Sequence, residues 1–405
     1  MMRVGLCGLG TVGSGLFNLF SNNGEEINRK TGDAPKLIQV GCRRDHPDCD
    51  LSTTSVTRDI FDVARNPDVD ILVELIGGTD TAKDLVMEAI NNGKHVVTAN
   101  KALIALHGDE VFAAAAEKNV TVRFEAAIAG GIPIVKSIRE GLAGNRIEWV
   151  AGIINGTSNF ILSEMASPGS NRSFEDVLKE AQDLGYAEAD PTFDVEGIDA
   201  AHKLTILASI AFGVPLSFSA IYTEGISAVT SADIRFADEL GYRIRHLGIA
   251  RRRTDGVELR VHPTLVAREQ ILAQVDGVMN AVMVGSDAAG ATMYYGAGAG
   301  AGPTASAVMA DIIDVSRTGT SLSDIGFVDL SETRFVPIEE IRTSYYLRLA
   351  VVDRPGVMAE VTSILSEHEV SIEALIQKDA RPSDAQIVIV TNDILESEIN
   401  DAIRQ

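Results

Sequence analysis

Residues 3–20 read RVGLCGLGTVGSGLFNLF, and this stretch decides the fold. Its first part, Arg3–Leu9, is a short apolar run that is typical of a β-strand. Residues 8–13, GLGTVG, follow at once and have the spacing GxGxxG, and Ser14–Phe20 then continue with a helical pattern. A strand, this glycine pattern and a helix in direct succession indicate a dinucleotide-binding turn.

The three glycines of this turn have different tasks in that interpretation. Gly8 allows the tight turn, Gly10 lets the backbone approach a pyrophosphate, and Gly13 lets helix and strand pack closely. The helix N-terminus, at Thr11 and Val12, then offers backbone N–H groups and the positive end of the helix dipole to phosphates. The alternative is an ordinary glycine-rich turn that binds nothing.

Strands and helices continue to alternate after this turn. Further strands are predicted at Leu37–Cys42, Val69–Ile76, His95–Ala99 and Val120–Phe124, and further helices at Ala82–Asn91 and Glu110–Lys118. Such alternation predicts an α/β fold with a doubly wound parallel sheet of the Rossmann type. We assign residues 1–133, with a returning segment at about 303–325, to this nucleotide-binding domain.

The end of the second predicted strand carries information about the cofactor. An acidic residue there would bind the ribose hydroxyls of NAD, but this chain has Arg43 and Arg44, with Asp45 behind them. Arginine pairs bidentately with a phosphate, so we expect NADP to be preferred over NAD. In the alternative, both arginines are ordinary surface residues and Asp45 serves NAD.

The remaining sequence predicts two further domains. Residues 134–302 contain longer elements and form a mixed α+β domain, which ends in the glycine run of residues 296–302. Pro303 follows this run and is suited to the first turn of the next helix. Residues 326–343 are predicted to be a linker. Residues 344–405 have the order strand, helix, strand, strand, helix, a small ferredoxin-like α+β module without a final strand.

Composition excludes several classes of partner. The formal net charge of -22 repels phosphate backbones, so we expect no nucleic acid partner. No apolar run is long enough to cross a bilayer, and the N-terminus has no secretory pattern, so we expect no membrane partner. The chain has 3 cysteines and no CxxC pair, which argues against disulfides and structural zinc. We therefore expect a cytoplasmic protein.

The segment from Ala181 to Lys203 reads AQDLGYAEADPTFDVEGIDAAHK and concentrates charged residues. Asp199 and Lys203 are four residues apart on a predicted helix, so they share a face, and Glu188 and Asp194 precede them. A lysine among carboxylates can act as an acid/base group or hold a substrate. The spacing alone favours the alternative, a salt bridge on a solvated helix face.

This segment resembles the signature of the homoserine dehydrogenase family. The matching positions are Ala181, Gly185, Tyr186, Asp190, Pro191, Asp194, Gly197, Asp199 and Lys203. Other family blocks occur in the chain, namely CGLGTVG, TANKALIA, FEAAIAGGIPIV, IINGTSNFIL and GPTASAV. The opening of the C-terminal module, LRLAVVDRPGVMAEV, resembles an ACT domain.

The resemblance implies interconversion of L-homoserine and L-aspartate 4-semialdehyde, with NAD(P) carrying the hydride. It implies that Lys203 is the acid/base residue and that Lys101 lies beside the nicotinamide and the reacting oxygen. Glu188 and Asp199, together with Asp194, would bind the ammonium group of the substrate.

The resemblance also implies further ligand contacts. Thr98, Lys101, Gly185 and Gly302 would join the GxGxxG residues in binding the cofactor. A monovalent cation such as sodium would be held, mostly by backbone carbonyls, at Glu125, Ile128, Gly130 and Ile132. The alternative for the second set is a loop that only turns beside the sheet.

The C-terminal module suggests regulation and assembly. ACT domains bind amino acids, and threonine is the usual effector in this family, so we expect threonine at the module, whose Asp353–Gly356 turn precedes a helix. Because the module lacks its last strand, we expect feedback inhibition to be weak. Family members form homodimers or homotetramers through the middle domain. Two alternative functions stay open here: a non-catalytic NADP-bound amino-acid sensor, and another ACT-bearing dehydrogenase such as 3-phosphoglycerate dehydrogenase.

Overall fold

The N-terminal part of the chain forms a six-stranded parallel sheet in the computed structural model, which describes residues 1–318, 324–381 and 384–405. Its strands are β1 (Arg3–Cys7), β2 (Lys36–Gly41), β3 (Ser55–Thr57), β4 (Ile71–Glu74), β5 (His95–Thr98) and β6 (Val122–Arg123). Their order is β3-β2-β1-β4-β5-β6. The helices are α1 (Thr11–Asn22), α2 (Gly24–Thr31), α3 (Ile60–Arg65), α4 (Asp80–Asn91) and α5 (Lys101–Lys118). The predicted doubly wound sheet is confirmed.

The glycine turn between β1 and α1 is built on close backbone contacts. Gly8 has a φ of 99°, a conformation that favours glycine, and a Cβ there would lie 2.5 Å from the carbonyl oxygen of Leu75. A Cβ on Gly13 would lie 2.1 Å from the carbonyl oxygen of Gly8. By contrast, no atom lies within 4 Å of the Cβ position of Gly10. Two glycines are thus required by packing, while the third leaves open space above the helix N-terminus.

Several elements of this domain were not predicted, and one helix was predicted over too short a range. Strand β3 and helices α2 and α3 were missed, because each is short and α2 buries only Ile27. Helix α5 begins at Lys101, not at Glu110, because the side chain of Asn100 accepts a hydrogen bond from the N–H of Leu103 and caps it.

The middle of the chain forms a second, mixed sheet. Its strands are β7 (Ile147–Ile153), β8 (Tyr222–Thr223), β9 (Tyr242–Arg252), β10 (Val257–Ala267), β11 (Met279–Ser286), β12 (Gly290–Ala297) and β13 (Phe335–Val336). The order is β12-β11-β7-β9-β10-β13, and β8 also pairs with β10. The helices are α6 (Ile134–Lys136), α7 (Gly156–Met165), α8 (Phe174–Asp183), α9 (Thr192–Val195), α10 (Ile198–Phe212) and α11 (Ser231–Glu239). Helix α7 was not predicted.

Helix α10 is the central element of this domain. Every residue from Asp199 to Phe212 is buried, and the helix contacts α5 on one side and β9 and β10 on another. A helix buried all round carries apolar residues on every face, and ILASIAF at its C-terminal end has this character. Helix α10 therefore joins the nucleotide-binding sheet to the mixed sheet.

The glycine run leads back to the first domain. Helix α12 (Ala301–Thr318) packs against α1, and a Cβ on Gly15 would lie 2.7 Å from the carbonyl oxygen of Ala301. Pro303 lies in the first turn of this helix, as predicted. The returning segment predicted at 303–325 thus packs on the first domain as far as it is described, while residues 319–323 lie outside the described residues.

The predicted linker at 326–343 is wrong as a free connection. Strand β13 extends the mixed sheet by pairing with β10, and Phe327 packs over Gly213 at the end of α10. Residues Arg342–Thr343 form β14, which pairs with a short strand of the C-terminal module. Strands of two residues are too short to leave a periodic pattern in the sequence.

The C-terminal module has the predicted order of elements. These are β15 (Tyr346–Val352), α13 (Val357–Glu367), β16 (Ile372–Arg381), β17 (Asp384–Thr391), β18 (Ile394–Leu395) and α14 (Glu396–Arg404), of which β18 was missed. Strands β15, β17 and β16 form an antiparallel sheet, and β18 pairs with β14. One apolar cluster joins the helices to the sheet through Leu365, Ile389 and Ile399. No helix of the described residues is long and apolar enough to span a membrane.

We predict that Gly13→Ala destabilises the fold by at least about 1–3 kcal/mol, because the new methyl group overlaps the carbonyl oxygen of Gly8. Gly24→Ala is the matched control: Gly24 also lies in a helix, but no atom lies within 4 Å of its Cβ position. We expect this change to leave stability unchanged or to raise it by up to about 1 kcal/mol. Urea unfolding of both variants measures the difference, and equal stabilities would contradict the packing argument.

Candidate active site

Two lysines from different domains converge on one carboxylate. Lys101 Nζ lies 2.6 Å from Asp199 Oδ1, and Lys203 Nζ lies 2.6 Å from Asp199 Oδ2. Asp199 is 2% exposed and Lys203 is 8% exposed. The alternative of a solvated salt bridge on a helix face is therefore wrong. We call Lys101, Asp199 and Lys203 the ion triad.

Lys101 reaches the triad because of how β4 and β5 end. Glu74 is buried at the end of β4 and accepts hydrogen bonds from the N–H groups of Ile76 and Gly77 and from the hydroxyl of Thr98. Thr98 in turn accepts from the N–H of Asn100, which caps α5. This chain of hydrogen bonds fixes the start of α5, and Lys101 is the first residue of that helix.

Asn155 also belongs to the cluster, although we did not predict it. Its amide group donates to Asp194 Oδ1 at 2.7 Å and to Asp199 Oδ2 at 2.8 Å. Its side-chain oxygen accepts from the N–H of Ser158 and caps α7. The signal in the sequence was the segment IINGTSNFIL, where an Asn stands just before a helix.

The surroundings of Lys203 shift its protonation equilibrium. Nζ donates to the carbonyl oxygen of Ile154 at 2.7 Å as well as to Asp199. Burial lowers the pKa of Lys203, the charge of Asp199 raises it in part, and Lys101 lowers it again, so that the net shift is downward. For Asp199, burial would raise the pKa, but the two lysines outweigh burial and lower it. Asp199 is therefore ionised at neutral pH.

Asp194 lies next to the triad on the short helix α9, which other elements hold in place. Burial raises the pKa of Asp194, and the hydrogen bond from Asn155 opposes this shift. The backbone carbonyl of Asp194 accepts from the hydroxyl of Ser158 at 3.0 Å, and the carbonyl of Val195 accepts from the N–H of Ile226 at 2.8 Å. The position of α9 thus depends on residues 222–226, which comprise β8 and the three residues after it.

Residues 222–226 contact the start of α10 as well. The Nε2–H of His246 donates to the carbonyl oxygen of Glu224 at 2.9 Å. Gly197 caps α10 with a φ of 81°, and a Cβ there would lie 3.0 Å from the ring of His246. A side chain at Gly197 would therefore push the ring away. The position of Asp199, two residues later, depends on this packing.

The structure does not bring all predicted substrate residues together. Glu188 is exposed on the loop after α8, and its carboxylate has no hydrogen-bond or ion-pair partner in the part of the chain that is described. Gly185 is also exposed on this loop. Phe193, which we did not predict, places its ring 5.4 Å from Lys101 Nζ.

The predicted nucleotide residues lie at the carboxyl ends of the parallel strands. Gly10, Thr11 and Val12 form the N-terminus of α1, whose first N–H groups have no partner within the helix. The open space at Gly10 is suited to a pyrophosphate, so the residues present fit a dinucleotide. Gly302 lies in the first turn of α12, and no atom lies within 4 Å of its Cβ position.

The residues that select the cofactor lie after β2. Arg43 and Arg44 are exposed, and among residues 1–318, 324–381 and 384–405 neither side chain has an ion-pair partner. The carboxylate of Asp45 is paired with Arg58, Oδ1 to Nη2, at 2.9 Å. Two cationic side chains are thus available here, while the nearby carboxylate is already neutralised.

The predicted cation residues lie in one buried segment against the glycine run. They are Glu125, Ile128, Gly130 and Ile132, all buried. The carboxylate oxygens of Glu125 accept from the N–H groups of Val135 and Lys136, each at 2.8 Å. Burial and then the charge of Glu125 raise the pKa of Asp311 to about 8. A cation beside these two carboxyl groups is chemically compatible with them, and backbone carbonyls can complete its shell.

Comparison with known proteins bears on this arrangement. Residues 133–313 match the family described as homoserine dehydrogenase, residues 8–125 its NAD binding domain, and residues 345–405 the ACT domain. A homoserine dehydrogenase of Pseudomonas aeruginosa is 59% identical over 411 residues, which cover 99% of this chain and 94% of the relative. This chain belongs to the homoserine dehydrogenase family.

Solved structures of the family agree. A homoserine dehydrogenase from Thiobacillus denitrificans is similar with a TM-score of 0.94 and 54% identity, covering 100% of this chain and 94% of that one. A hyperthermophilic archaeal homoserine dehydrogenase in complex with NADPH has a TM-score of 0.66 and 27% identity, covering 82% and 99%. The function of the chain is homoserine dehydrogenase activity in amino-acid biosynthesis, an oxidoreductase reaction on a CH–OH group. The alternatives of a non-catalytic sensor and of a 3-phosphoglycerate dehydrogenase are excluded.

We predict that Asn155→Ala lowers the free energy of unfolding more than the loss of a helix cap alone explains. A lost cap costs about 1 kcal/mol, and hydrogen bonds to charged groups contribute about 1.5–3 kcal/mol. Ser173→Ala is the matched control, since Ser173 caps α8 through Asp176 and does not contact the triad. Urea unfolding measures the stability of both variants, and steady-state rates measure their kcat. Equal stability losses, or a normal kcat in Asn155→Ala, would show that Asn155 is only a cap.

Proposed function

We propose that Lys203 is the acid/base residue with which this chain interconverts L-homoserine and L-aspartate 4-semialdehyde. The observation that supports it is the ion triad at the junction of the nucleotide-binding sheet and α10, in which Asp199 and Lys203 are buried. In the oxidation, the hydroxyl oxygen loses a proton while the carbon loses a hydride, and the nicotinamide supplies the hydride acceptor when it is bound. Reduction reverses both transfers.

The hydrogen bonds of Lys203 suit this role. A protonated lysine has three N–H donors, and two of them are used by Ile154 and Asp199. The third is left for the oxygen that gains or loses a proton. The lowered pKa of Lys203 raises the fraction of neutral amine that can accept the proton in the oxidation. Lys101, on the opposite oxygen of Asp199, would stabilise negative charge on the same substrate oxygen.

In this proposal the main role of Asp199 is to position the two lysines. Both of its oxygens are already bonded to lysines, and Oδ2 also accepts from Asn155. Asp194 and Glu188 would therefore bind the ammonium group of the substrate. The carboxylate of Glu188 has no other partner in the described residues. The side chain of Phe193 would cover the charges from the solvent side.

We further propose that NADP is preferred over NAD. Gly8, Gly10 and Gly13 would hold the pyrophosphate at the start of α1, and Arg43 and Arg44 would pair with the 2′-phosphate. The pairing of Asp45 with Arg58 supports this choice, because it removes the carboxylate that would bind a free ribose hydroxyl. The NADPH complex of the archaeal relative is in line with it.

The other proposed partners are a monovalent cation, a second copy of the chain and an amino-acid effector. A monovalent cation would lie at the segment of residues 125–132 and stabilise its turn. The exposed edge strand β12, with Tyr295 59% exposed, offers a surface for a homodimer or homotetramer. The ACT module would bind an amino-acid effector, threonine being the first candidate. All three cysteines are free and buried, which agrees with the cytoplasm as the place of this chemistry.

We predict that Lys203→Met lowers kcat by roughly 100- to 10,000-fold, the usual contribution of an acid/base group. Reduction of the aldehyde needs protonated Lys203, so the wild-type rate falls as the pH rises through its lowered pKa. The residual rate of the variant should lack this basic limb. Lys179→Met, at an exposed lysine on α8, is the control and should behave like the wild type. A normal kcat in Lys203→Met would remove Lys203 from the role.

We predict that replacing Arg43 and Arg44 by alanine weakens NADP more than NAD, because only NADP carries the 2′-phosphate. Losing the charge-assisted contacts should cost about 1.5–3 kcal/mol of NADP binding. Arg29→Ala, at an exposed arginine of α2 that pairs with Glu26, is the control. Fluorescence titration with both cofactors measures the effect, and equal weakening of the two would show that neither arginine contacts that phosphate.

A further inference from the structure

A large cavity lies between the mixed sheet and the C-terminal module. Its volume is about 610 Å³, within the range of small-molecule sites. Strands β9 and β10 and residues 222–229 line one side, while residues 343–348 and helix α14 line the other. None of Lys101, Asp199 and Lys203 lines it. We call it the interdomain cavity.

Arg260 is a buried cation that this cavity leaves without a hydrogen bond. It lies on β10, is 8% exposed, and lines the cavity. No hydrogen bond reaches its guanidinium from the described residues, and Nε is fully enclosed. Its nearest carboxylate oxygen is Oε1 of Glu258, 3.5 Å from Nη2. Guanidinium groups carry five N–H donors, and burying them without acceptors is costly.

Arg348, across the cavity, is different. Its Nε lies 2.6 Å from Asp233 Oδ1, and Tyr346 donates its hydroxyl to the same carboxylate at 2.9 Å. This group is therefore satisfied by the protein itself and joins the C-terminal module to α11. The comparison leaves Arg260 as the cation that is placed to receive an anionic group from a ligand.

Four acidic residues line the same space: Glu224, Glu373, Glu396 and Asp233, of which Asp233 is paired with Arg348. Glu224 and Glu396 line the cavity, and each accepts a phenolic hydroxyl, from Tyr222 at 3.1 Å and from Tyr345. Burial is the largest cause of the raised pKa of Tyr222, and the charges of Glu224 and Glu396 raise this pKa further. Both carboxylates thus affect the same phenol. The cavity is thus lined by a buried cation that lacks hydrogen bonds, although it lies near Glu258, and by carboxylates.

We propose that the interdomain cavity binds a small zwitterionic amino acid, with its carboxylate on Arg260 and its ammonium group on Glu224 and Glu396. Phosphorylated ligands fit poorly, because the two carboxylates would repel them. The inference rests on the proposed amino-acid effector and assigns it a site. That site differs from the Asp353–Gly356 turn of the C-terminal module, which is not part of the cavity lining.

The first experiment uses the wild-type chain and changes only the ligand. Isothermal titration is performed with L-threonine, L-isoleucine and L-methionine, and the tightest binder is compared with its amino alcohol and with its analogue lacking the amine. We expect each analogue to bind roughly 10- to 100-fold more weakly, the scale of one lost contact to a charged group. Equal binding of either analogue, or no binding of all three amino acids, would overturn the proposal.

The second experiment locates the site. Arg260→Met should weaken the tightest binder roughly 10- to 100-fold, whereas Arg251→Met, at an exposed arginine of β9 outside the cavity, and Lys203→Met should leave its affinity unchanged. If Arg260→Met fails to fold, the double variant Glu224→Gln, Glu396→Gln is tested in its place and should also weaken the tightest binder. Binding lost in Lys203→Met but kept in Arg260→Met would place the ligand in the active site and overturn the inference. Binding weakened only by Arg354→Ala would support an effector at the turn and likewise reject the cavity. The rate of Lys203→Met tests the acid/base role separately.

Discussion

Asp199 is the residue on which the two halves of the active site depend. It is nearly inaccessible to solvent, and a buried carboxylate is unfavourable unless cations and hydrogen-bond donors compensate for lost hydration. Here the compensation comes from Lys101 on the nucleotide-binding domain and from Lys203 on its own helix. The requirement to neutralise one charge therefore holds the cofactor domain and the substrate domain in a fixed relation.

The same constraint explains why the proposed catalytic amine has an unusual environment. Helix α10 is buried on all sides, so Lys203 cannot extend to solvent as surface lysines do. Burial favours its neutral form and Asp199 favours its charged form, and the balance leaves the pKa below its ordinary value. A lowered pKa enlarges the neutral fraction of the amine, and a reversible alcohol oxidation requires both the neutral and the protonated form.

Local patterns predicted the first sheet, the glycine turn and the spacing of Asp199 and Lys203. They did not predict Asn155, because its partners, Asp194 and Asp199, lie far along the chain and only the fold brings them together. Lys101 was named through the family resemblance and not through spacing, for the same reason. Short strands such as β13 and β14 escaped prediction because two residues cannot show a period. The lack of hydrogen bonds on Arg260 could not be predicted either, since it depends on packing between strands and the C-terminal module.

Residues 222–226 contact both the interdomain cavity and helix α9, which carries Asp194. Tyr222 and Glu224 line the cavity, while Ile226 binds the carbonyl of Val195 and the carbonyl of Glu224 holds His246 against Gly197. When two ligands bind to sites that share one segment, each ligand changes the affinity for the other by the same factor. If an amino acid in the cavity changes the affinity for homoserine, homoserine changes the affinity for that amino acid equally. Such an enzyme would sense the supply of its own substrate through the occupancy of a site that the substrate never enters.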